Sequence, residues 1–275
     1  MNFITGDKFI ELADWTYAPV IRHQDDYCKL KNTLDLCSIA DGDIIYTHTF
    51  YVKQLFEILK GCTEKVYIIT HNSDMNIDDT FTIPRCVVTW YAQNVNIFDS
   101  RIVPIPIGLE NDRWFPTLRK KELMVAKLQE PREYKGLVYM NFNLCTNFTE
   151  RSKAYNALKD KEWVKIHLGT NGSNFPAYLD NLYNYKFVVC PEGNGIDTHR
   201  VWETLYMGSF PIVLRNAMSE YLYSYYPCYI VDSWEEITED SLAKEYKNLT
   251  DIMAFYDHSE LLTFDYWRDK ILNRQ

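Results

Sequence analysis

The sequence is poor in glycine and proline, with ten of each in 275 residues, which excludes collagen-like and low-complexity linker architectures. It lacks a basic excess. Asp and Glu number 38 against 29 Lys and Arg, a formal net charge of −9, and no basic stripe is present to neutralise a phosphate backbone. Nucleic acid is therefore excluded as a general partner, and any anionic ligand must be held locally. The seven cysteines show neither CxxC pairs nor Cys/His ligand spacing. They read as free thiols in a reducing compartment, not as a disulfide framework or a zinc site. No apolar run is long enough to span a membrane. The first fifteen residues, MNFITGDKFIELADW, carry acidic groups and lack the basic and apolar regions of a secretory signal. A soluble, cytoplasmic protein is expected, and the Asn-x-Ser/Thr matches at Asn147, Asn171 and Asn248 then read as chance.

What is present is an alternation of short apolar runs with amphipathic stretches, which is the grammar of βαβ units and parallel sheets. Strands are expected at 44–46, 65–70, 85–91, 137–140, 163–168, 187–189, 210–214 and 228–231. Helices are expected around 25–36, 49–59, 149–158, 175–185, 199–208, 239–256 and 259–272, with a short one from Ala217. Pro104 and Pro106 make 102–107 an edge strand or extended segment. The charged stretch before Pro131 suggests a boundary between domains at 1–130 and 131–275, and the last helix is expected to pack back on the first.

The densest chemistry lies in Phe187–Leu214, FVVCPEGNGIDTHRVWETLYMGSFPIVL. An apolar strand stops at Cys190-Pro191, and a polar loop with Gly193 and Gly195 follows. A helix then begins near His199 and stops at Gly208, ahead of another apolar strand. Gly193 and Gly195 read as positions of positive φ or of close backbone approach, and Asp197 or Thr198 as the helix cap. Orphan N–H groups at a helix N-terminus attract phosphate, and Arg200 adds a fork of donors. Glu203 is placed to accept from ribose hydroxyls. In the first half, His71-Asn72-Ser73-Asp74 ends a strand, where open α/β sheets hold ligands, and His48 ends the strand before it. Asp78-Asp79 is the nearest imitation of a metal-binding acidic pair, and it reads as surface charge.

Pro191–Val213, PEGNGIDTHRVWETLYMGSFPIV, resembles exostosin-like glycosyltransferases, close to the small branch of ribitol-directed and large-algal-virus xylosyltransferases. WYAQN at Trp90–Asn94, PIGLEN at Pro106–Asn111, and YMNFN at Tyr139–Asn143 followed by Asn147 and Arg151 are similar to that branch in the same order. The resemblance covers about residues 85–235. It implies an α/β fold of GT-B type, two Rossmann-like domains facing a central cleft, without an essential metal or other cofactor. The implied reaction is inverting transfer of a sugar, xylose from UDP-xylose foremost, to a hydroxyl of a glycan or glycoprotein acceptor. Donor contacts are expected from Arg151, Glu192, Gly193, Asn194, Gly195, Ile196, Asp197, Thr198, His199, Arg200 and Glu203. Asp74, with His71 as its competitor, is expected as the base, and His48 and Asn72 as acceptor contacts. The alternatives are another sugar on the same nucleotide (fucose, glucuronic acid, galactose or arabinose) or a non-catalytic sugar- or nucleotide-binding module.

Overall fold

The computed structural model describes residues 2–19, 31–114, 119–168, 174–255 and 259–273. It is α/β, with two parallel sheets in two compact units. One unit comprises Met1–Asn111 with Glu260–Gln275, the other Asp112–Ser259. The division thus falls at Asn111/Asp112, ahead of the expected boundary near Pro131. The charged helix α3 (Lys120–Leu128) belongs to the second unit.

The first unit holds the sheet β2-β1-β3-β4-β5-β6, built from β1 (Trp15–Tyr17), β2 (Asn32–Thr33), β3 (Ile44–His48), β4 (Val66–His71), β5 (Val87–Ala92) and β6 (Ile102–Pro104). Its central strands are apolar on both faces, as a covered parallel sheet requires. The helix α2 (Val52–Leu59) follows β3 and buries Val52, Leu55, Phe56 and Leu59, a spacing that lays one helical face on the sheet. The short α1 (Gly6–Ile10) precedes β1, and Phe9 stacks on His71 with ring centres 5.0 Å apart. The C-terminal helix α9 (Phe264–Leu272) closes on this unit. Phe264 N–H donates to Asn2 O at 2.8 Å and Asn2 Nδ2 to Asp265 at 3.0 Å. The proline-bearing segment forms the edge strand β6. Part of the helix expected at 25–36 falls outside the described residues; the remainder forms β2 and a 3-10 turn at Leu36–Ser38.

The second unit holds the sheet β11-β10-β9-β7-β8: β7 (Gly136–Phe142), β8 (Val164–Leu168), β9 (Tyr185–Val189), β10 (Phe210–Leu214) and β11 (Tyr229–Val231). Between them run α4 (Phe148–Leu158), α5 (Phe175–Asn184), α6 (His199–Tyr206) and α7 (Ala217–Tyr221), and α8 (Glu239–Phe255) follows β11. Side-chain alternation assigns the faces. Val138, Met140 and Phe142 pack with Ala154 and Leu158 of α4 and Leu242 and Leu249 of α8, whereas Tyr139 turns to Tyr178 of α5. From β7 the chain moves outward to β8, while from β9 it moves the other way to β10. Neighbouring strands β7 and β9 therefore part in opposite directions. The crevice beyond their carboxyl ends is the switch point where open α/β sheets bind ligands.

Candidate functional site

Two loops meet at that crevice. After β7 comes Asn143–Asn147, leading into α4; after β9 comes Cys190–Thr198, leading into α6. Asn147 caps α4 through its side-chain oxygen, which accepts from Glu150 N–H, and its Nδ2 donates to Gly193 O at 2.9 Å. Arg151, in the first turn of α4 and 6% exposed, donates from Nε to Glu192 O at 3.0 Å and from Nη1 to Asn143 O at 2.7 Å. One guanidinium thus ties both loops together. Arg200, in the first turn of α6, places its guanidinium carbon 5.9 Å from the centre of the Phe142 ring; that of Arg151 lies 5.8 Å from the same ring.

Among the described residues neither arginine has a carboxylate partner, and Arg200 Nε is buried without any hydrogen-bond partner. Burial, and then the neighbouring Arg200 charge, lower the pKa of Arg151 to about 10, so Arg151 remains cationic at neutral pH. Thr198 stands at the N-cap of α6 but its side chain makes no capping bond, and its Oγ1 is also buried and unpartnered. An uncapped helix N-terminus beside two cations that lack counter-ions is electrostatically a site for a polyanion.

Glu203, one helical turn into α6, is buried; Tyr178 OH donates to its Oε2 at 2.6 Å. Burial first and the Glu203 charge second hold the Tyr178 phenol well above its ordinary pKa, which keeps it a donor. Glu203 Oε1 has no partner among the described residues and remains available for a ligand hydroxyl. Glu192 is set similarly: Asn216 Nδ2 donates to its Oε1 at 2.9 Å, and burial raises its carboxyl pKa. A recess behind the loop is lined by Glu150, Glu192, Ile196, Leu214, Asn216 and Trp234. Trp234 Nε1 is buried there without a partner.

The loop's other residues divide by burial. Asn194 is exposed and His199 half-buried, whereas Ile196 is buried. Asp197 is buried. Its Oδ1 accepts from Trp202 Nε1 at 2.8 Å and Tyr223 OH at 2.7 Å, fixing the loop from beneath. Neither Gly193 nor Gly195 adopts positive φ, contrary to one reading of the sequence. At Gly193 the approach is close, since a Cβ there would lie 3.1 Å from Arg151 Nη2. Its N–H donates to Gly195 O at 3.0 Å, which curls the loop. Gly208, which ends α6, does take φ +70.

No family model matches the chain, and no curated protein does. Its chemistry is therefore read from geometry.

In the first unit, the polar groups at the carboxyl edge are mostly committed to structure. His71 is fully buried. Its Nδ1 accepts from Asn72 N–H at 2.7 Å, so Nε2 carries the proton donated to Pro106 O at 3.0 Å. That leaves no ring lone pair for an acceptor proton, and His71 acts as a strut. Asn72, at φ +59, donates from Nδ2 to Asp7 Oδ1 at 3.1 Å and to Tyr46 OH at 3.2 Å, and its Oδ1 accepts from Asn111 Nδ2 at 2.8 Å. It too is bonded into the fold. His48 Nδ1 accepts from Phe50 N–H at 3.2 Å and caps the turn after β3. Asp74 is exposed. PIGLEN is explained by the same network. Pro106 and Asn111 hold His71 and Asn72, and Gly108, at φ +66, lies so close to the N-terminal segment that a Cβ would sit 2.3 Å from Ile4 O. Asp7 belongs to this network and has no motif to announce it. Asp78 accepts from Thr80 N–H and Oγ1, and among the described residues no group of three or more His, Cys, Asp or Glu is placed to hold a metal. The six described cysteines are free, and no described helix is long and apolar enough to cross a membrane.

Proposed function

We propose that the protein is an inverting glycosyltransferase of GT-B type that takes a UDP-sugar, foremost UDP-xylose, and transfers the sugar to a hydroxyl of a glycan acceptor. The observation that carries this reading is the pair Arg151 and Arg200, two guanidiniums without carboxylate partners among the described residues, beside the α6 N-terminus that no side chain caps, at the β7/β9 switch point. A diphosphate supplies the anion such a site lacks. The resemblance of Pro191–Val213 to exostosin-like enzymes supplies the sugar and the nucleotide.

In this reading the diphosphate lies against the two arginines and the first amides of α6, which neutralise the charge that grows on it as the bond to the anomeric carbon breaks. Glu203, oriented by Tyr178, accepts from ribose hydroxyls through Oε1. Glu192, oriented by Asn216, accepts from a sugar hydroxyl. The cationic groups do the electrostatic work that a divalent metal performs elsewhere, and no cofactor is required. The acceptor attacks from the face opposite the departing diphosphate, so the anomeric configuration inverts.

The test is calorimetric titration with UDP, followed by UDP release from a panel of UDP-sugars in the presence of glycan acceptors. UDP binding with a dissociation constant below about 1 mM, and turnover with one sugar of the panel, support the reading. A wild-type protein that binds no UDP refutes it. Binding without turnover across the panel leaves a nucleotide-binding module.

A further inference from the structure

The recess behind the β9–α6 loop lies wholly within the second unit, and the polar groups on its walls can be set against their partners. Glu150, Cys190, Glu192, Asn216, Tyr223 and Trp234 line it together with apolar side chains. Asn216 is the N-cap of α7. Its Oδ1 accepts from Ser219 N–H at 2.9 Å and its own N–H donates to Ser219 Oγ at 2.8 Å, a capping box that fixes which way the amide points. Its Nδ2 is thereby left to donate to Glu192 Oε1 at 2.9 Å. Tyr223 OH donates to Asp197 Oδ1 at 2.7 Å, Cys190 Sγ donates to Val188 O at 3.4 Å, and Glu150 is paired with Lys153 Nζ at 2.7 Å. Two groups on the walls then stand out: Trp234 Nε1, a donor buried without a hydrogen-bond partner, and the Glu192 carboxylate, an acceptor held in place by Asn216.

Trp234 stands in the 3-10 turn Trp234–Glu236 after β11. It is 2% exposed and belongs to the apolar core that includes Val189 and Ile212. A phenyl ring would fill such a position without a polar atom, whereas indole brings a donor whose burial is destabilising unless something meets it. The space in the recess is about 10 Å³, room for about one water-sized group. A hydroxyl is such a group, and from a single atom it accepts from an N–H and donates to a carboxylate. An ammonium has no lone pair for the indole, and a carbonyl no proton for Glu192. The recess also adjoins the anion seat, since Glu192 O accepts from Arg151 Nε at 3.0 Å and Glu150 precedes Arg151 in α4. In a sugar nucleotide the sugar is bonded directly to the diphosphate.

Resting on the glycosyltransferase reading above, we propose that this recess is the specificity subsite for the transferred sugar: one ring hydroxyl enters it, accepts from Trp234 Nε1 and donates to the Glu192 carboxylate. Trp234, which no motif marks, is then a donor-sugar contact, and Asn216 is a positioning residue that acts through Glu192. The recess selects sugars that present a hydroxyl at that ring position. A sugar with hydrogen there leaves both partners unmet, and one with a bulky acetamido group there does not fit the space.

The experiment is calorimetric titration of wild type, Trp234→Phe and Glu192→Gln with UDP, with UDP-xylose, and with the UDP-xylose analogues lacking the C2, C3 or C4 hydroxyl. Wild type is expected to bind one of these analogues about tenfold or more weaker than UDP-xylose, because a site built for a hydroxyl penalises its loss. Trp234→Phe deletes the N–H and keeps an aromatic ring; Glu192→Gln keeps the shape and removes the charge. In both the gap is expected to shrink to about threefold or less, with UDP affinity within about twofold of wild type, a pattern that a merely structural role does not produce. Equal affinity of wild type for UDP-xylose and every analogue means that the recess holds water only, and it overturns the proposal. So does the full gap retained in either variant. The glycosyltransferase reading survives both results, since it rests on UDP binding and turnover. A wild-type protein that binds no UDP removes that reading, and the proposal with it. If Trp234→Phe does not fold, the wild-type series and Glu192→Gln still decide.

Discussion

Replacing Arg200 with methionine separates a ligand-holding arginine from a structural one, because the two roles predict opposite changes in stability. The guanidinium carbons of Arg151 and Arg200 lie 5.8 and 5.9 Å from the centre of the Phe142 ring, so the two charges are at most about 12 Å apart. At an effective dielectric of about 20 their repulsion is at least about 1.4 kcal/mol, and roughly half survives solvent screening of the half-exposed Arg200. Removing that charge also removes the unpartnered buried Nε. The loss is a cation–π contact near its distance limit, worth about 0.5 kcal/mol, while the methionine stem keeps the apolar packing. Arg200→Met is therefore expected to leave stability unchanged or raised by up to about 1 kcal/mol, a shift in melting temperature of roughly 0 to +4 °C. UDP affinity is expected to fall about 10- to 150-fold, since a charge-assisted bond is worth about 1.5–3 kcal/mol, and its salt dependence should weaken. Differential scanning fluorimetry and titration calorimetry at two ionic strengths read both. A clear drop in melting temperature with UDP affinity within twofold of wild type would refute the reasoning and make Arg200 a structural residue.

Gly193→Ala pushes a methyl to 3.1 Å from Arg151 Nη2, and that guanidinium is pinned by two carbonyls. UDP affinity should drop roughly 3- to 10-fold, with stability changed by less than about 1 kcal/mol; unchanged affinity would show that Arg151 does not touch the ligand. Gly108→Ala combines φ +66 with a Cβ 2.3 Å from the Ile4 carbonyl oxygen, so denaturant titration should show a loss of about 3 kcal/mol or more, and a loss below 1 would contradict that packing. Burial raises the Glu192 carboxyl pKa, so the folded state prefers the protonated form. This contribution is full below the ordinary Glu value of about 4.3 and is lost as pH rises through the higher folded value. Glu192→Gln, which mimics the neutral form, should melt above wild type at pH 7 and level with it near pH 4; a gap that widens toward acid would reverse the sign.

The strands of both sheets were legible where an apolar run of three or more residues ended at glycine, proline or a polar cluster, as at Ile44–His48 and Phe210–Leu214. β1 and β2 were not, because Trp15–Tyr17 and Asn32–Thr33 are too short to show a period and are recognisable only by their pairing with β3 and with each other. The two compact units divide at Asn111/Asp112, away from the charged stretch, for a related reason. The charged stretch before Pro131 looks like a linker, whereas the first unit ends where Asn111 is held by Asp7 and Asn72, bonds that span 104 and 39 residues.

The same long-range bonds decide which polar residues are sites. Sequence density singled out His71, Asn72 and Asp197 together with Arg200 and Glu203, since all are polar groups at the carboxyl ends of strands. What separates them is satisfaction of their hydrogen-bonding groups. His71, Asn72 and Asp197 are bonded into the fold, so a ligand would have to displace those bonds. Among the described residues Arg200 Nε and Thr198 Oγ1 are buried without hydrogen-bond partners, so a ligand would complete them. A buried polar group without a partner costs of order 1–3 kcal/mol, and two adjacent at one helix N-terminus are the cost of a site built to be filled. Local residue type places a group at the right edge of the sheet; its partners, brought from distant parts of the chain, decide whether it holds the loop or the ligand.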